Sequence, residues 1–150
     1  MKILIYSRQN AENAVKSGNF PQNAAVISFY DPHTEHIDYS LTNCDTYYCP
    51  IEDIDVWSDE EYAAQSSKFD YADDLADFIY KAFHSGKDII CQCDYGQSRS
   101  AGCAAAIAQH FYGSGIDIFT DLNKSPNKFI YHKVSDALND IMAIKRERLK

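Results

Sequence analysis

The sequence contains no apolar run long enough to cross a membrane, which needs about 20 consecutive, mostly apolar residues. Its first ten residues include a short apolar stretch but lack the longer apolar region and small-residue cleavage site of a secretion signal. Basic residues are also scarce: 14 Lys and Arg stand against 22 Asp and Glu, for a formal net charge of −8. These absences predict a cytoplasmic protein that binds neither membrane nor nucleic acid, because nucleic-acid binding needs a basic surface.

The sequence also lacks the cysteine pattern of a disulfide framework or a zinc site. Its five cysteines are Cys44, Cys49, Cys91, Cys93 and Cys103. An odd number of cysteines without a secretion signal predicts free thiols in a reducing compartment. A single residue separates Cys91 from Cys93, whereas paired zinc ligands have at least two residues between them. His33 and His36 have the spacing of a metal pair, but no third ligand is near them in sequence, so we expect ordinary loop residues.

What the sequence does contain is an alternation of short apolar runs and helical patterns. Predicted strands cover residues 2–6, 24–30, 46–51 and 88–91. Predicted helices cover residues 9–17, 70–86 and 101–112, and the chain from residue 134 onward. Ser7 suits the N-cap of the first helix and Gly18 its end, whereas the acidic, poorly periodic residues 52–70 are predicted to form a long loop with at most a helical turn. Strands that alternate with helices favour one α/β domain over residues 1–150, with a central, mostly parallel sheet flanked by helices.

One segment combines the features that chemistry requires: the turn from Cys93 to Ser100, with the sequence CDYGQSRS. It follows a predicted buried strand and leads into an alanine-rich helix. It therefore lies where ligands bind in α/β sheets, and where unpaired amides at a helix start favour an anion. Gly96 permits a positive φ, which lets successive amides curl around one centre. The predicted phosphate-binding residues are Asp94, Tyr95, Gly96, Gln97, Ser98 and Arg99.

Cys93 and Arg99 have the main roles in this turn. A guanidinium binds two phosphate oxygens through paired hydrogen bonds, which an ammonium group cannot match. The same positive surroundings favour the thiolate form of Cys93. The thiolate would attack phosphorus and form a thiophosphate intermediate that water hydrolyses. The Ser100 hydroxyl would donate a hydrogen bond to the sulfur and help it to leave.

The turn resembles the Cys-x5-Arg-Ser/Thr loop of the protein tyrosine and dual-specificity phosphatase superfamily, and Gly96 with Ser98-Arg99-Ser100 resembles the dual-specificity form in particular. The segment Cys49-Pro50-Ile51-Glu52-Asp53 is similar to the strand-end segment of that class whose aspartate is the general acid. Residues 76–79 and 125–127 add weaker similarities, so the resemblance covers roughly residues 45–140. It implies a sheet with flanking helices, no metal or cofactor, and hydrolysis of a phosphorylated protein or small phosphoester; it leaves the oligomeric state open.

Two residues in this region depart from the resemblance. Gln92 stands where the superfamily usually has a histidine that helps to set the thiolate, and Tyr95 stands where alanine is frequent. Gln92, together with the open identity of the general acid, motivates an alternative function, a catalytically weak phosphate-binding module. A third hypothesis, after the hydrolase and the binding module, is a different thiolate enzyme, such as a sulfurtransferase or an arsenate reductase. The Gly96 and Ser-Arg-Ser pattern makes it less favoured.

The general acid and the walls of the substrate pocket stay open at this point. A general acid must protonate the leaving oxygen and later activate water. Asp53 fits the strand-end pattern but lies further from Cys93 in sequence than is usual, Asp59 has the more usual spacing, and Asp55 lies between the two. Five tyrosines are candidates to wall a pocket for an aromatic phosphoester: Tyr47, Tyr48, Tyr62, Tyr71 and Tyr95.

Overall fold

The structure, a computed structural model, describes residues 1–56, 58–121 and 123–149. Within these residues, the central sheet consists of four parallel strands: β1 (Ile3–Ser7), β2 (Ala25–Tyr30), β3 (Asp45–Pro50) and β4 (Ile89–Cys93). The strands lie in the order β1-β4-β2-β3, so β4 pairs with both β1 and β2. Parallel pairing places Ser7 opposite Cys93 and brings the carboxyl ends of the strands to one edge of the sheet.

Helices cover both faces of this sheet. They are α1 (Arg8–Ser17), α2 (Asp59–Lys68), α3 (Ala72–His84), α4 (Arg99–Tyr112), α5 (Ile116–Thr120) and α6 (Lys128–Arg148). The alternating side chains of β4 show the arrangement: Ile89 and Cys91 pack in the core with α3, α4 and α6, whereas Ile90 packs with α1. None of these helices is long and apolar enough to cross a membrane.

The predicted α/β architecture with a mostly parallel sheet is confirmed, and the described strands are parallel throughout. The first helix has the predicted ends: the Ser7 hydroxyl accepts a hydrogen bond from the Asn10 amide at 3.1 Å, and Gly18 closes the helix with a φ of 75°. Strand β4 continues beyond its predicted end at residue 91 as far as Cys93, because its pairing with β1 extends to Ser7. The backbone of Cys93 is therefore held by the sheet.

The prediction of a long loop over residues 52–70 is wrong for its second half, where α2 forms. The Ser58 hydroxyl accepts a hydrogen bond from the Glu61 amide at 3.1 Å, and three acidic residues in the first turn favour the helix further. Gln65 is the buried residue of α2, so the helix has no apolar stripe that a periodicity could reveal.

Helix α6 begins earlier than the predicted start at residue 134. The Asn127 side chain accepts a hydrogen bond from the Ile130 amide at 2.9 Å and caps the helix, and the buried Phe129 and Ile130 extend its apolar face toward this cap. The early start brings the N-terminus of α6 to the edge of the sheet where β4 ends. The short helix α5 is absent from the prediction, since none of its five residues is buried and they form no pattern.

Candidate active site

The turn predicted to carry the chemistry lies at the carboxyl edge of the sheet, between β4 and α4. Cys93 is the last residue of β4 and is buried, and α4 begins at Arg99. The Cys93 sulfur lies 3.0 Å from the Ser100 hydroxyl oxygen, a distance that allows a hydrogen bond between them. The structure thus brings the predicted nucleophile and the predicted helper of sulfur departure into contact.

In the β4–α4 loop, residues 94–98, four of the five carbonyl groups accept hydrogen bonds, and the amide groups have no acceptor among the described residues. The carbonyl oxygens of Asp94, Gly96, Gln97 and Ser98 accept hydrogen bonds at 2.7 to 3.0 Å from Arg8 N, Lys124 Nζ, Ser125 N and Asn127 N, respectively. No described residue accepts a hydrogen bond from the amides of residues 94–99. A segment with its carbonyls engaged by neighbours and its amides unpaired offers a row of donors to an anion.

Gly96, in the middle of this loop, has a φ of 66° and lies against the end of β1. A Cβ atom at this position would lie 2.9 Å from the Ser7 nitrogen and 3.1 Å from the Tyr6 carbonyl carbon, too close for ordinary packing. The backbone conformation and the available space therefore both require glycine here.

The Arg99 side chain is buried, with 3% of the residue exposed, and it is held by oxygen atoms from three other segments. Its Nη1 donates to a carboxylate oxygen of Asp31 and to the Ile51 carbonyl oxygen, both at 2.9 Å. Its Nη2 lies 3.4 Å from a carboxylate oxygen of Asp94, and its buried Nε has no partner in the described part of the chain. The guanidinium edge formed by Nε and Nη2 therefore retains the donors that a bidentate bond to phosphate would use.

Among the three candidate acids, Asp53 is the one that contacts the loop. Its Oδ1 accepts hydrogen bonds from the Ser98 hydroxyl at 2.6 Å and from the Asn127 side-chain amide at 3.0 Å. Asp55 instead accepts from the first amide of α6 at 3.2 Å, and Asp59 lies in the first turn of α2. The geometry therefore favours Asp53 for a role at the loop, and it gives the other two aspartates roles at helix starts.

Two residues at this edge, Asn127 and Asp31, have no assigned role in the sequence analysis. Asn127 is fully buried and bonds at once to the Ser98 carbonyl, to the Asp53 carboxylate and to the first turn of α6. Asp31 directly follows β2 and pairs with Arg99. Two signals were present: asparagine is a preferred N-cap, and polar residues after parallel strands share one edge of the sheet.

Gln92, the residue before Cys93, is buried on the face of β4 opposite to Cys93. Its Oε1 accepts hydrogen bonds from the Ser28 hydroxyl at 2.5 Å and from the Tyr39 hydroxyl at 2.9 Å. Burial raises the pKa of Tyr39, so this hydroxyl stays protonated and donates. The side chain that precedes Cys93 is therefore fixed in a buried polar network beneath α1.

The other cysteines are free thiols, of which Cys44 is half-buried and the rest are buried. A hydrogen bond with Cys103, together with burial, raises the pKa of Cys91, and burial raises the pKa of Cys49. These two thiols therefore stay protonated at neutral pH and are poor nucleophiles. Among the described residues, no group of three or more His, Cys, Asp or Glu side chains is placed to hold a metal ion.

Of the five tyrosines considered as pocket walls, Tyr95 lies at the loop, where 79% of it is exposed. The others pack within the fold: Tyr47 on Tyr71, Tyr48 on His36, and Tyr62 on Phe129. These four rings are half-buried and take part in strand and helix packing. Of these five tyrosines, Tyr95 is the one that belongs to the β4–α4 loop.

Comparison with solved structures identifies the class of protein that shares this fold: the dual-specificity phosphatases. The chain is similar to DUSP15, with a TM-score of 0.62 and 14% identity over 97% of this chain and 88% of that one. It is similar to PTPMT1 in complex with PI(5)P, with a TM-score of 0.57 and 14% identity over 96% and 94%, and to human DUSP28, with a TM-score of 0.56 and 13% identity over 94% of both chains. No protein-family model matches the sequence, and no curated protein matches it.

Proposed function

We propose that this chain is a cysteine-dependent phosphomonoester hydrolase that acts on phosphorylated protein side chains or on small phosphoesters. The observation that carries the proposal is the β4–α4 loop, with engaged carbonyls and with no described acceptor for the amides of residues 94–99. Such a row of donors beside the Cys93 sulfur suits a tetrahedral anion. The dual-specificity phosphatase fold supports the same class of reaction.

Phosphate binding combines the loop amides with the free edge of Arg99. The Nε and Nη2 donors of Arg99 match two phosphate oxygens, and the start of α4 adds the positive end of a helix dipole. Asp31 and the Ile51 carbonyl hold Nη1, on the other side of the guanidinium. This arrangement orients the arginine before the substrate arrives, which lowers the entropic cost of binding.

In the first chemical step, the Cys93 thiolate attacks phosphorus. An S–P bond forms while the bond between phosphorus and the leaving oxygen breaks. Asp53, in its protonated form, donates its proton to that leaving oxygen. Ser98 and Asn127 hold Oδ1 of Asp53, whereas its Oδ2 has no hydrogen bond with any described residue, so Oδ2 is the oxygen that carries the proton.

In the second step, water attacks the phosphorus of the cysteinyl-phosphate. Asp53, now ionised, accepts a proton from this water, the S–P bond breaks and inorganic phosphate leaves. The Ser100 hydroxyl, 3.0 Å from the Cys93 sulfur, donates a hydrogen bond to the departing thiolate. This contact stabilises negative charge on sulfur at the moment when it develops.

Turnover of a small aryl phosphate tests the proposal. The wild-type protein should release the aryl alcohol and phosphate, and Cys93→Ser should reduce the rate to that of buffer. Cys44→Ser is the matched control and should keep the wild-type rate, because the Cys44 thiol donates to the Pro21 carbonyl in another part of the fold. Absence of wild-type turnover, or equal loss in both variants, would contradict the proposal.

A second candidate function is a phosphate-binding module with little or no turnover. Arg99 is already paired with Asp31 and Asp94, two anions with which phosphate has to compete. Gln92 also supplies no positive charge to support a thiolate. Calorimetric binding of phosphate or vanadate by a wild-type protein that shows no Cys93-dependent hydrolysis would favour this candidate over the hydrolase.

A further inference from the structure

A groove of about 550 Å³ adjoins the β4–α4 loop on the side of α1. Arg8 and Glu12 of α1 form one wall, and Asp94 and Tyr95 of the loop contribute to the other. The Asp94 carboxylate also lies 3.4 Å from Nη2 of Arg99. The groove therefore opens directly beside the guanidinium edge that would bind phosphate.

The charged side chains of this groove already take part in ion pairs, but its two carboxylates stay partly exposed. Arg8 donates through Nε to the Glu12 carboxylate and through Nη1 to the Glu35 carbonyl, both at 2.7 Å. The side chains of Glu12 and Asp94 keep 35% and 28% of their surface exposed. Two of the five N–H donors of Arg8 are thus engaged. Glu12 and Asp94 are partly exposed carboxylates that each pair with one arginine, Arg8 and Arg99, respectively.

The Tyr95 ring adds an aromatic surface to these carboxylates. It is largely exposed, and it makes no ring contact or hydrogen bond with the described residues. The face of a tyrosine ring attracts the charged head of lysine or arginine and packs against the alkyl stem of the same side chain. An exposed ring next to two carboxylates is therefore a combination that recognises a cation.

Phosphate binding increases the need for a cation at this place. Asp31 and Asp94 already share the single positive charge of Arg99, and a phosphate ester adds about −1.5 to −2 charges at neutral pH. Three anionic groups then surround one guanidinium, and partial burial strengthens their repulsion relative to bulk water. A positive group on the substrate would offset this excess, whereas a second phosphate would increase it.

We propose that this groove is the subsite for a basic side chain of the substrate. The preferred substrates are then phosphorylated protein segments with a lysine or arginine next to the phosphorylated residue, an inference that rests on the phosphatase function proposed above. The alkyl stem packs on Tyr95, and the charged head reaches Glu12 and Asp94. Acidic phosphopeptides and lipid headgroups with several phosphates are correspondingly poor substrates.

Three phosphotyrosine peptides that differ only in having lysine, alanine or glutamate beside the phosphotyrosine test this preference. We expect kcat/KM to fall in that order, by roughly 3- to 30-fold from lysine to glutamate, the size of one cation–π contact plus one partly exposed ion pair. Glu12→Gln should reduce the lysine-to-glutamate ratio. Glu147→Gln makes the same charge change near the far end of α6, about 30 Å from its start, and should leave the ratio unchanged.

The outcomes separate this subsite from the phosphatase function. Equal kcat/KM for all three peptides, or faster hydrolysis of the glutamate peptide or of a phosphoinositide, overturns the subsite and leaves the phosphatase proposal intact. If no peptide is hydrolysed, turnover of the aryl phosphate decides the phosphatase proposal, and fluorescence anisotropy of the same peptides with Cys93→Ser decides the subsite. Tighter binding of the lysine peptide supports it, and equal or reversed affinities overturn it.

Discussion

At the residue scale, the side chains of the site are defined as much by their partners as by their own chemistry. Asp31 holds Arg99 on one side, and on the other side Nε has no hydrogen-bond partner among the described residues. Asp53 is held at Oδ1 by Ser98 and Asn127. The spacing in the sequence predicted the roles of residues 93, 99 and 100. It did not predict Asp31 and Asn127 as partners of these groups, because they come from distant segments.

Asp53→Asn tests the general acid. The amide cannot donate a proton to the leaving oxygen, so we expect kcat for an aryl phosphate to fall roughly 10²- to 10⁴-fold. Asp55→Asn is the matched control and should change kcat little, since its carboxylate bonds to the start of α6. A large loss in the control alone would move the role to Asp55.

Asn127→Ser tests whether the start of α6 positions the acid. Serine is as good an N-cap as asparagine but is too short to reach Asp53, so we expect kcat to fall about 10-fold with little change in KM. Asn127→Ala also loses the cap, worth about 1 kcal/mol, and should lower Tm by a further 2–4 °C or so. Wild-type kcat in the serine variant would show that Asn127 has only a structural role.

At the scale of elements, the unit that matters is β4, its loop and α4. Strand β4 pairs with β1 and β2, and its pairing with β1 reaches Cys93. Gly96 lets the loop that follows pass close to β1. This unit follows strong local signals and was predicted from the sequence. Helix α2 was not, because it is stabilised by its cap and acidic first turn rather than by an apolar stripe.

Gly96→Ala tests the close approach of the loop to β1. A left-handed φ costs an alanine about 1–2 kcal/mol, and the added Cβ would also meet the Ser7 backbone. Gly86 has nearly the same φ, 67°, but nothing lies within 4 Å of its Cβ position, so Gly86→Ala carries the conformational cost alone. We expect a larger drop in Tm for Gly96→Ala and loss of phosphate binding in calorimetry. Equal Tm values and equal phosphate affinity would contradict the described packing.

At the scale of the whole molecule, an acidic chain gathers its few relevant cations at one edge of the sheet. The net charge is −8, yet the charged groups of Lys124 and Arg99 bond to the β4–α4 loop, and Arg8 lines the groove beside it. A local group of donors can hold an anion against an unfavourable overall charge because screening weakens distant charges.

Anion binding should stabilise the whole fold. Vanadate or phosphate at 100 times its Kd adds about 2.7 kcal/mol to the free energy of unfolding, which corresponds to a rise in Tm of roughly 5–10 °C. Arg99→Lys should remove most of this rise, because an ammonium group cannot form the bidentate bond. Sodium chloride at equal ionic strength is the control. An equal rise with chloride, or an unchanged rise in Arg99→Lys, would show that no specific anion site exists at Arg99.

The sequence by itself determined the α/β architecture, the parallel sheet and the turn that begins at Cys93. Apolar periodicity, helix caps and the spacing of Gly96 and Arg99 are local properties, because they depend only on residues that are close in the chain. It also limited the candidates for the predicted general acid to residues 53–59, after β3, since strand ends in a parallel sheet share one edge.

Only the tertiary structure decided which of those acids contacts the loop and what holds Arg99. The pairs Arg99 with Asp31, Ser98 with Asp53, and Asn127 with Asp53 join residues separated by 68, 45 and 74 positions. Such contacts depend on how β2, the segment after β3 and α6 are placed around the end of β4. Spacing along the chain carries no information about that placement, because it results from packing of the whole core.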